Sequence, residues 1–368
     1  MAKLLPLLLA GFITGGVTSC ELGDGNPPPN PHNQLELVFA DSTYQLTGVA
    51  VSASGRLFTN YPLWSDIYRY AVVEVKPGNQ VTPYPNLAMN SWQRGQNGED
   101  KWVCVQAVYI DDADNLWVVD PASPRMAGVY QQSHKLVQIN PGTGQVVRSY
   151  LFNGVADDQS YMNDVRVDTA AQYAYLTNST EGGIFVVNLQ TGAIRQVLQD
   201  HYSVKSDPAY TFTVDGHELM KNGKPAKTNS DGIALTPDGA WLYYKPLTDD
   251  KLYRIRTEYL RSNSMNNLQL AAKVEDLGHF TTTDGMIFDK QGNLYMGDIE
   301  HYRLVRVSPD MEMSTLVQDS LLIWPDSYSI SKDGYLYVSC SQIHKQPDYN
   351  NGVNKRTLPY TIYRYKID

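Results

Sequence analysis

The hydrophobic and aromatic residues of this chain form short runs that recur in pairs, with a tight turn inside each pair. The two clearest copies occupy residues 230–244 and 283–296. In both, a polar residue leads into a short apolar run, a glycine-containing turn follows, and an aromatic run completes the unit. Short runs bounded by glycine turns are typical of β-strands. Each copy therefore predicts two antiparallel strands.

The same frame fits four more places, at residues 47–58, 106–119, 163–176 and 326–338. Successive copies begin 42 to 68 residues apart, which suits blades of four strands. The repeat predicts an all-β fold, a six-bladed β-propeller in which helix is scarce and the first strand of each blade lines a central channel. Because an open ring would leave an unpaired edge, we expect residues 35–39 and 361–365 to complete the closing blade together.

Two polar segments lengthen the repeat. Residues 201–227 contain an Asn222-Gly223 turn, which favours a hairpin, and residues 90–101 precede the second copy. Long loops in compact folds are often functional lids. Surface decoration without a function is the alternative for both segments.

Composition and charge narrow the range of partners. The chain has 368 residues and a formal net charge of −9, and no Lys/Arg-rich run interrupts that charge. The attraction to phosphate that dominates nucleic-acid binding is therefore missing, and we expect no nucleic-acid partner. The negative electrostatic field of the chain is better matched to a cation or a cationic small molecule. We expect a monomer with a small-molecule ligand.

The first 34 residues differ from the rest. Residues 1–19 carry Lys3 and then an apolar run that is short for a membrane span, which predicts a signal peptide. The run ends in Val-Thr-Ser-Cys, which resembles the lipobox of bacterial lipoproteins, so we expect acylation of Cys20. An ordinary signal peptide with an incidental Cys20 is the alternative.

Residues 20–34 are rich in Pro, Asn and Gly and predict an extended linker, which leaves residues 35–368 for the propeller. The expected location is the bacterial cell envelope, at the outer membrane or in the periplasm, or secretion from the cell. Membrane contact is expected only through the lipid anchor.

One polar residue leads each copy of the repeat, and the repeat places each of them just before its inner strand. They should converge around one mouth of the channel and form a ligand-binding ring: Thr47, Gln106, Asn163, Asp231, Asp284 and Asp326. Carboxylates around a narrow opening must be solvated, protonated or neutralised by a cation. Shaping of the strand entry by Asx turns is the alternative for any single residue.

Other chemistries lack their usual signals. The seven histidines form no H-E-x-x-H motif and no close pair, so a zinc site is not supported. There is no G-x-S-x-G elbow, P-loop or dinucleotide fingerprint. Cys104 and Cys340 lie in copies that are not neighbours, so no disulfide is predicted.

The repeat segments resemble the yellow and major royal jelly protein family over nearly the whole mature chain. The resemblance is carried by Gln106 with 116–120, and by residues 162–168, 230–239, 283–286 and 324–327. It implies a six-bladed propeller, secretion, and in some members binding of aromatic amines or conversion of dopachrome. For this chain it implies a site for a small aromatic, amine- or catechol-like molecule, with Asp231 and Asp284 as the candidate proton-transferring residues for a dopachrome-tautomerase-like isomerase.

A more distant similarity is to the gluconolactonase and regucalcin propellers, whose metal site uses one Glu with Asn and Asp residues. That similarity implies a calcium-like divalent cation on Asn163, Asp231 and Asp284, although Thr47 stands where that family has its Glu. A metal-dependent lactonase or esterase is therefore the first alternative. A non-catalytic envelope scaffold is the second.

Overall fold

The computed structural model describes residues 34–367 together with Met1. The predicted signal peptide, the acylation site at Cys20 and nearly all of the predicted linker lie outside the described residues. In the described part, six antiparallel sheets of four strands form the blades of a β-propeller. The predicted all-β, six-bladed fold with four-stranded blades is confirmed.

The first strand of the described chain, β1 (Glu36–Asp41), belongs to the last blade. Blade 1 contains β2 (Val49–Val51), β3 (Leu57–Asn60), β4 (Val72–Lys76) and β5 (Gln80–Pro83). Blade 2 contains β6 (Ala107–Ile110), β7 (Leu116–Asp120), β8 (Lys135–Asn140) and β9 (Gln145–Leu151). Blade 3 contains β10 (Met162–Asp168), β11 (Tyr173–Asn178), β12 (Ile184–Asn188) and β13 (Ile194–Val197).

The segment between blades 3 and 4 carries four short strands, β14 (Thr213–Val214), β15 (His217–Glu218), β16 (Met220–Lys221) and β17 (Lys224–Pro225). Blade 4 contains β18 (Ser230–Leu235), β19 (Trp241–Pro246), β20 (Lys251–Arg256) and β21 (Glu275–His279). Blade 5 contains β22 (Met286–Phe288), β23 (Leu294–Asp298), β24 (Arg303–Val307) and β25 (Met313–Gln318). Blade 6 contains β26 (Pro325–Ile330), β27 (Tyr335–Cys340) and β28 (Tyr360–Lys366).

Helix in the described residues is limited to short pieces, as the sequence predicts. Two α-helices of five residues, α1 (Thr257–Arg261) and α2 (Asn267–Ala271), lie between β20 and β21. Single 3₁₀ turns occupy Pro124–Met126, Tyr202–Val204, Ile343–Lys345 and Pro347–Tyr349. None of the described helices is long and apolar enough to cross a membrane.

The two ends of the chain close the ring together. Strand β1 pairs with β28, so that Glu36 lies opposite Arg364 and Phe39 opposite Ile362. Phe39 and Ile362 are both buried in one hydrophobic cluster with residues of blade 1. The predicted closure of the last blade by both ends is confirmed.

The hydrophobic core lies between successive blades. Between blades 2 and 3, for example, Trp117 and Leu136 pack against Val165, Leu176 and Phe185. Sheets that are covered on both faces need apolar residues on both faces. This is why the second strand of each blade reads as an almost unbroken apolar and aromatic run.

The segment between blades 3 and 4 folds as two consecutive two-stranded hairpins, β14–β15 and β16–β17. Residues Asn222 and Gly223 form the turn of the second hairpin, and both have positive φ, as such a turn requires. The predicted hairpin is confirmed. Residues 90–101 contain turns and no strand.

Cys104 and Cys340 are both buried and free. Burial raises the pKa of both thiols. In the described part of the chain, neither of these two thiols forms a disulfide that would add to stability.

Candidate functional site

The lead residues lie at one end of the inner strands, and three of them lie inside a strand. Asn163, Asp231 and Asp326 belong to β10, β18 and β26. In each case the pairing with the second strand is interrupted for two residues, so the backbone bulges there. The expectation that every lead residue precedes its strand is wrong for these three blades, because the ladder already begins one residue earlier.

Hydrogen bonds between neighbouring blades hold the lead positions in a ring. The N–H of Gly285 in blade 5 donates to the carbonyl of Asp326 in blade 6, at 2.7 Å. The hydroxyl of Thr177 in blade 3 donates to the carbonyl of Asp231 in blade 4, also at 2.7 Å. Because the backbone at these positions is tied across the seams, the side chains have little freedom to move apart.

Four carboxylates converge at this ring, and we call them the acidic cluster: Asp164, Asp231, Asp284 and Asp326. Each of these residues is at most 7% exposed. A Cβ added at Gly285 would lie 3.3 Å from Oδ2 of Asp164, so the Asp164 side chain extends from blade 3 to blade 5 across the channel.

The carboxylates of the acidic cluster resist ionisation. Burial, together with the neighbouring charges of Asp284, Asp164 and Asp326, raises the pKa of Asp231 well above its usual range. Burial and the charge of Asp284 do the same for Asp326. Burial raises the pKa of Asp284 to about 7, although a hydrogen bond from Trp324 works in the opposite direction. Near neutral pH the cluster therefore holds protons that a bound cation could replace.

Two buried cations lie beside the acidic cluster without pairing closely with it. The Nζ of Lys245 donates to the carbonyls of Pro246 and Asp249, at 2.7 and 2.6 Å. The guanidinium of Arg166 lies 3.7 Å from Oδ2 of Asp164, beyond hydrogen-bonding distance. Two cations beside four carboxylates leave the site acidic when all the groups are ionised.

Two carboxylate oxygens of the cluster lack partners among the described residues. Oδ1 of Asp231 and Oδ2 of Asp326 are buried and accept no hydrogen bond. A buried acceptor without a partner costs about 1–3 kcal/mol. The cluster thus offers unused acceptors where a ligand bearing positive charge could donate to them.

The other three lead residues lie at the ring but do not add a charge to it. The hydroxyl of Thr47 is fully buried; it donates to the carbonyl of Gln106 and accepts from the amide of Asn60. The side-chain oxygen of Gln106 accepts from the hydroxyl of Tyr161, at 2.8 Å. Asn163 is buried in the bulge of β10. Thr47 therefore has a structural hydrogen-bonding role that its position in the sequence did not disclose.

Aromatic side chains surround the acidic cluster. The indole of Trp324 donates to Asp284. Burial raises the pKa of Tyr349, and the charges of Asp284, Asp348 and Asp231 raise it further. On the other side, the Tyr161 hydroxyl accepts from the indole N–H of Trp64, at 2.9 Å. Aromatic faces beside carboxylates suit an organic cation with an apolar body.

The inserted hairpins pack over the blade 5 and blade 6 side of this site. Phe212 contacts Trp324 edge-to-face, with ring centroids 6.0 Å apart. The N–H of Asn222 at the hairpin turn donates to the carbonyl of Asp348, and Lys221 lies over the ring of Tyr349. The insertion is thereby attached to the same residues that border the acidic cluster.

The predicted metal ligands Asn163, Asp231 and Asp284 fit a divalent cation poorly. Within residues 34–367, no group of three or more His, Cys, Asp or Glu side chains is placed to hold a metal ion. One oxygen of Asp284 already accepts the Trp324 indole, and the Thr47 hydroxyl is used within the fold. A calcium ion takes six to eight oxygen ligands, whereas an ammonium group needs about three acceptors.

Sequence reasoning missed Asp164, although a signal was present. The residue after the lead position is small in the other five blades: Gly48, Ala107, Gly232, Gly285 and Ser327. Only blade 3 places a charged side chain there, and it fills space that a larger residue at Gly285 would occupy. Lys245 and Trp324 were missed because they come from a second strand and from a connection between blades.

Comparison with known sequences is consistent with this architecture. The sequence model of the family described as major royal jelly protein matches residues 103–367. Major royal jelly protein 7 of Apis mellifera is 24% identical over 332 residues, covering 79% of this chain and 70% of the relative. Major royal jelly protein 3 of the same species is 25% identical over 329 residues, and the match spans 80% of this chain but only 56% of that relative.

Solved structures with the same fold include two propellers of low sequence identity. A gluconolactonase from Xanthomonas campestris superposes with a TM-score of 0.55 at 9% identity, covering 91% of this chain and 90% of that one. The calcium-binding protein regucalcin from Agrobacterium tumefaciens gives a TM-score of 0.52 at 12% identity, covering 90% and 94%. At these identities the likeness concerns the fold alone.

Proposed function

Because the chain belongs to the major royal jelly protein family, as its sequence predicts, we propose that it binds a small aromatic molecule with a positively charged amine at the channel mouth. The observation that carries this proposal is the acidic cluster with its two unused, buried carboxylate oxygens, on Asp231 and Asp326. An amine at this position would donate to those oxygens.

Electrostatics favours a cation over a neutral ligand of the same shape. The raised pKa values of Asp231, Asp284 and Asp326 reflect the cost of placing negative charges together in a buried site. A bound ammonium relieves that cost and makes charge-assisted hydrogen bonds, which are about twice as strong as neutral ones. The aromatic body of the ligand would pack beside Trp324 and Tyr349.

The test is isothermal titration with tyramine and dopamine, and with 4-ethylphenol as a neutral analogue of tyramine. We expect tyramine to bind at least about tenfold more tightly than 4-ethylphenol. Asp231→Asn and Asp284→Asn, which preserve side-chain shape, should each weaken tyramine binding about tenfold or more.

The matched control is Asp310→Asn, which removes one carboxylate from the exposed turn between β24 and β25. Its tyramine affinity should equal that of the unaltered protein. Equal affinities for tyramine and 4-ethylphenol, or tyramine binding that both cluster substitutions leave unchanged, would contradict the proposed site.

A second candidate function is proton transfer on the bound aromatic ligand, as in a dopachrome-tautomerase-like isomerase. It is favoured by Asp284, whose pKa of about 7 lies in the range where a general acid or base is most effective. Decay of dopachrome absorbance should be accelerated by the protein near neutral pH. With Asp284→Asn the rate should fall to that of the uncatalysed reaction, since an amide cannot exchange the proton.

The metal-dependent lactonase and the non-catalytic scaffold remain the alternatives. A lactonase of this type would bind a stoichiometric divalent ion and lose activity with a chelator, so elemental analysis and assays with and without chelator distinguish it. For a scaffold, Asp231→Asn and Asp284→Asn together would leave its biological role intact.

Export and lipidation at Cys20 form a separate proposal, supported by the composition of residues 1–34. Labelling of cells with a radioactive fatty acid should mark the protein, and Cys20→Ser should abolish the label. A labelled Cys20→Ser protein would disprove acylation at this residue.

A further inference from the structure

The six inner strands can be aligned through their pairing with the second strands. In every blade, one inner-strand residue lies opposite an aromatic residue of the second strand: Phe58, Trp117, Tyr175, Tyr243, Tyr295 or Tyr337. The inner-strand residues at this position are Ala50, Tyr109, Arg166, Ala234, Ile287 and Ser329. Of these six residues, only Arg166 is charged. Asp164, the other charged exception to the repeat, lies in the same strand.

Arg166 crosses the channel beside the acidic cluster. Its Nη2 donates to the carbonyl of Met286 in blade 5, at 2.5 Å, and its guanidinium lies 4.9 Å from the ring centre of Tyr109 in blade 2. It therefore contacts blade 2, which is next to its own blade, and blade 5 across the opening. The guanidinium lies 3.7 Å from Oδ2 of Asp164, so Arg166 borders the acidic cluster.

The guanidinium of Arg166 has a donor that the described residues do not use. Nη1 and Nη2 donate to the carbonyls of Val165 and Met286, but the buried Nε has no hydrogen-bond partner. Arg166 is 5% exposed. A buried, charged group with an unused N–H is costly, and an anionic group of a ligand would satisfy it.

Unused donors and unused acceptors thus occur in one site. The acceptors are Asp231 Oδ1 and Asp326 Oδ2, and the donor is Arg166 Nε. Asp164 connects Arg166 with the rest of the acidic cluster. It lies 3.7 Å from Arg166, and its charge adds to the effects of burial and of Asp284 in raising the pKa of Asp231. Free acceptors beside a free cationic donor are complementary to a ligand head group that carries both charges.

We propose that Arg166 is a specificity-determining residue that binds an acidic group of the ligand, and that the ligand class is therefore zwitterionic aromatic α-amino acids rather than simple aromatic amines. This inference rests on the proposed function, because it assigns the residue of the same site that binds the acidic group of the ligand. The ammonium and carboxylate of an α-amino acid are adjacent, so that the ammonium would donate to Asp231 Oδ1 and Asp326 Oδ2 while the carboxylate accepts from Arg166 Nε. The aromatic ring then points to the mouth, beside Trp324 and Tyr349.

The test compares ligands that differ only in the carboxylate. Tyrosine and tyramine form one pair and tryptophan and tryptamine a second, and each is titrated into the full protein by calorimetry at neutral pH. We expect the amino acid of each pair to bind at least about tenfold more tightly than the amine, since the amino acid makes one additional charge-assisted hydrogen bond.

The outcomes separate this inference from the proposed function. Amines that bind as tightly as or more tightly than the amino acids overturn the zwitterion assignment and leave the cation site standing. If neither member of either pair binds, the proposed function itself fails, and the inference fails with it. The comparison needs no variant, so it does not depend on whether a substituted protein folds.

Substitution of Arg166 adds a second measurement. Arg166→Gln should reduce the tyrosine-to-tyramine affinity ratio to about one, and Arg166→Lys, which keeps the charge, should restore part of it. A ratio that remains unchanged in a folded Arg166→Gln protein, as judged by its circular dichroism and thermal melt, would show that Arg166 acts only in the fold.

Discussion

The indole N–H of Trp324 donates a hydrogen bond of 2.7 Å to Oδ2 of Asp284 in the buried acidic cluster. Trp324 has φ of 60°, a left-handed conformation that bulky residues rarely adopt. Its ring is held from the outside by Phe212 of the inserted hairpins and by His344, which stacks on it at 5.6 Å. The insertion therefore positions a candidate ligand-binding carboxylate through one side chain.

Replacement of Trp324 by Phe should shift the pH dependence of ligand binding. The indole stabilises ionised Asp284, so its removal should raise the pKa of that carboxyl above about 7. A cationic ligand needs the ionised form, and the midpoint for tyramine binding should move to higher pH. Calorimetric titrations from pH 5.5 to 8.5 measure the midpoint. Phe212→Leu, which keeps the indole donor, serves as the control; an unchanged midpoint in Trp324→Phe would contradict the assigned role of the indole.

The acidic cluster should make the unliganded protein less stable as pH rises. The folded-state pKa values of Asp231, Asp284 and Asp326 are raised, so their contribution to stability is complete below about pH 4 and is lost as pH rises through the folded values, near 7 for Asp284. Thermal melts between pH 4 and 7.5 should show this decline. The decline should be smaller in Asp231→Asn, whose amide has no charge to bury, whereas parallel curves for the two proteins would argue against buried, protonated carboxyls.

Closure of the propeller should depend on the packing of strand β1. Phe39 is 1% exposed and packs in a cluster that joins the last blade to the first. Phe39→Ala should reduce the free energy of unfolding by about 3–5 kcal/mol, because it leaves a cavity at this seam. Leu37→Ala in the same strand is the control, since Leu37 is largely exposed and should change stability by about 0.5 kcal/mol or less. Denaturant unfolding measures both, and similar losses would indicate that the seam does not bear on stability.

The ion pair between Lys135 and Asp120 should be essential to the stability of blade 2. Both side chains are fully buried, with Nζ 2.8 Å from Oδ2, and Asp120 also accepts the N–H groups of Val103 and Cys104. Lys135→Ala should cost about 3–5 kcal/mol, because it leaves a buried carboxylate without its cation.

The exposed pair formed by Arg125 with Asp66 provides the comparison for Lys135. Arg125→Ala should cost at most about 1 kcal/mol, since exposed ion pairs contribute little. The two unfolding free energies are measured under the same conditions. A loss below about 1 kcal/mol for Lys135→Ala would show that the pair is replaceable.

The repeat allowed the fold to be predicted from the sequence in unusual detail. Each inner strand is a short run after a polar residue, and each second strand follows a tight turn, which contains glycine in four of the six blades; strand pairing is therefore local and leaves a local pattern. The closing pair of β1 with β28 was predictable because an open ring would expose an edge. The hairpin at Asn222-Gly223 was predictable because that dipeptide suits a two-residue turn.

The lead residues were predictable as a set but not in their chemistry. Asp231, Asp284 and Asp326 converge as the repeat implies, whereas Thr47, at an equivalent position, uses its hydroxyl to bind the carbonyl of Gln106. A one-dimensional repeat gives a residue its place around the ring. It does not state which neighbouring groups will satisfy that residue's hydrogen bonds.

The sequence by itself therefore determined the propeller, its six blades, its closure and the mouth at which polar residues gather. Only the tertiary structure decided which side chains meet: Asp164 and Arg166 cross the channel to blade 5, and Trp324 reaches Asp284 from the connection between blades 5 and 6. The physical reason is separation along the chain. Strand pairing and turns depend on residues close together in the chain, whereas burial, pKa and unused hydrogen-bonding atoms depend on groups from different blades that meet only when the ring is closed.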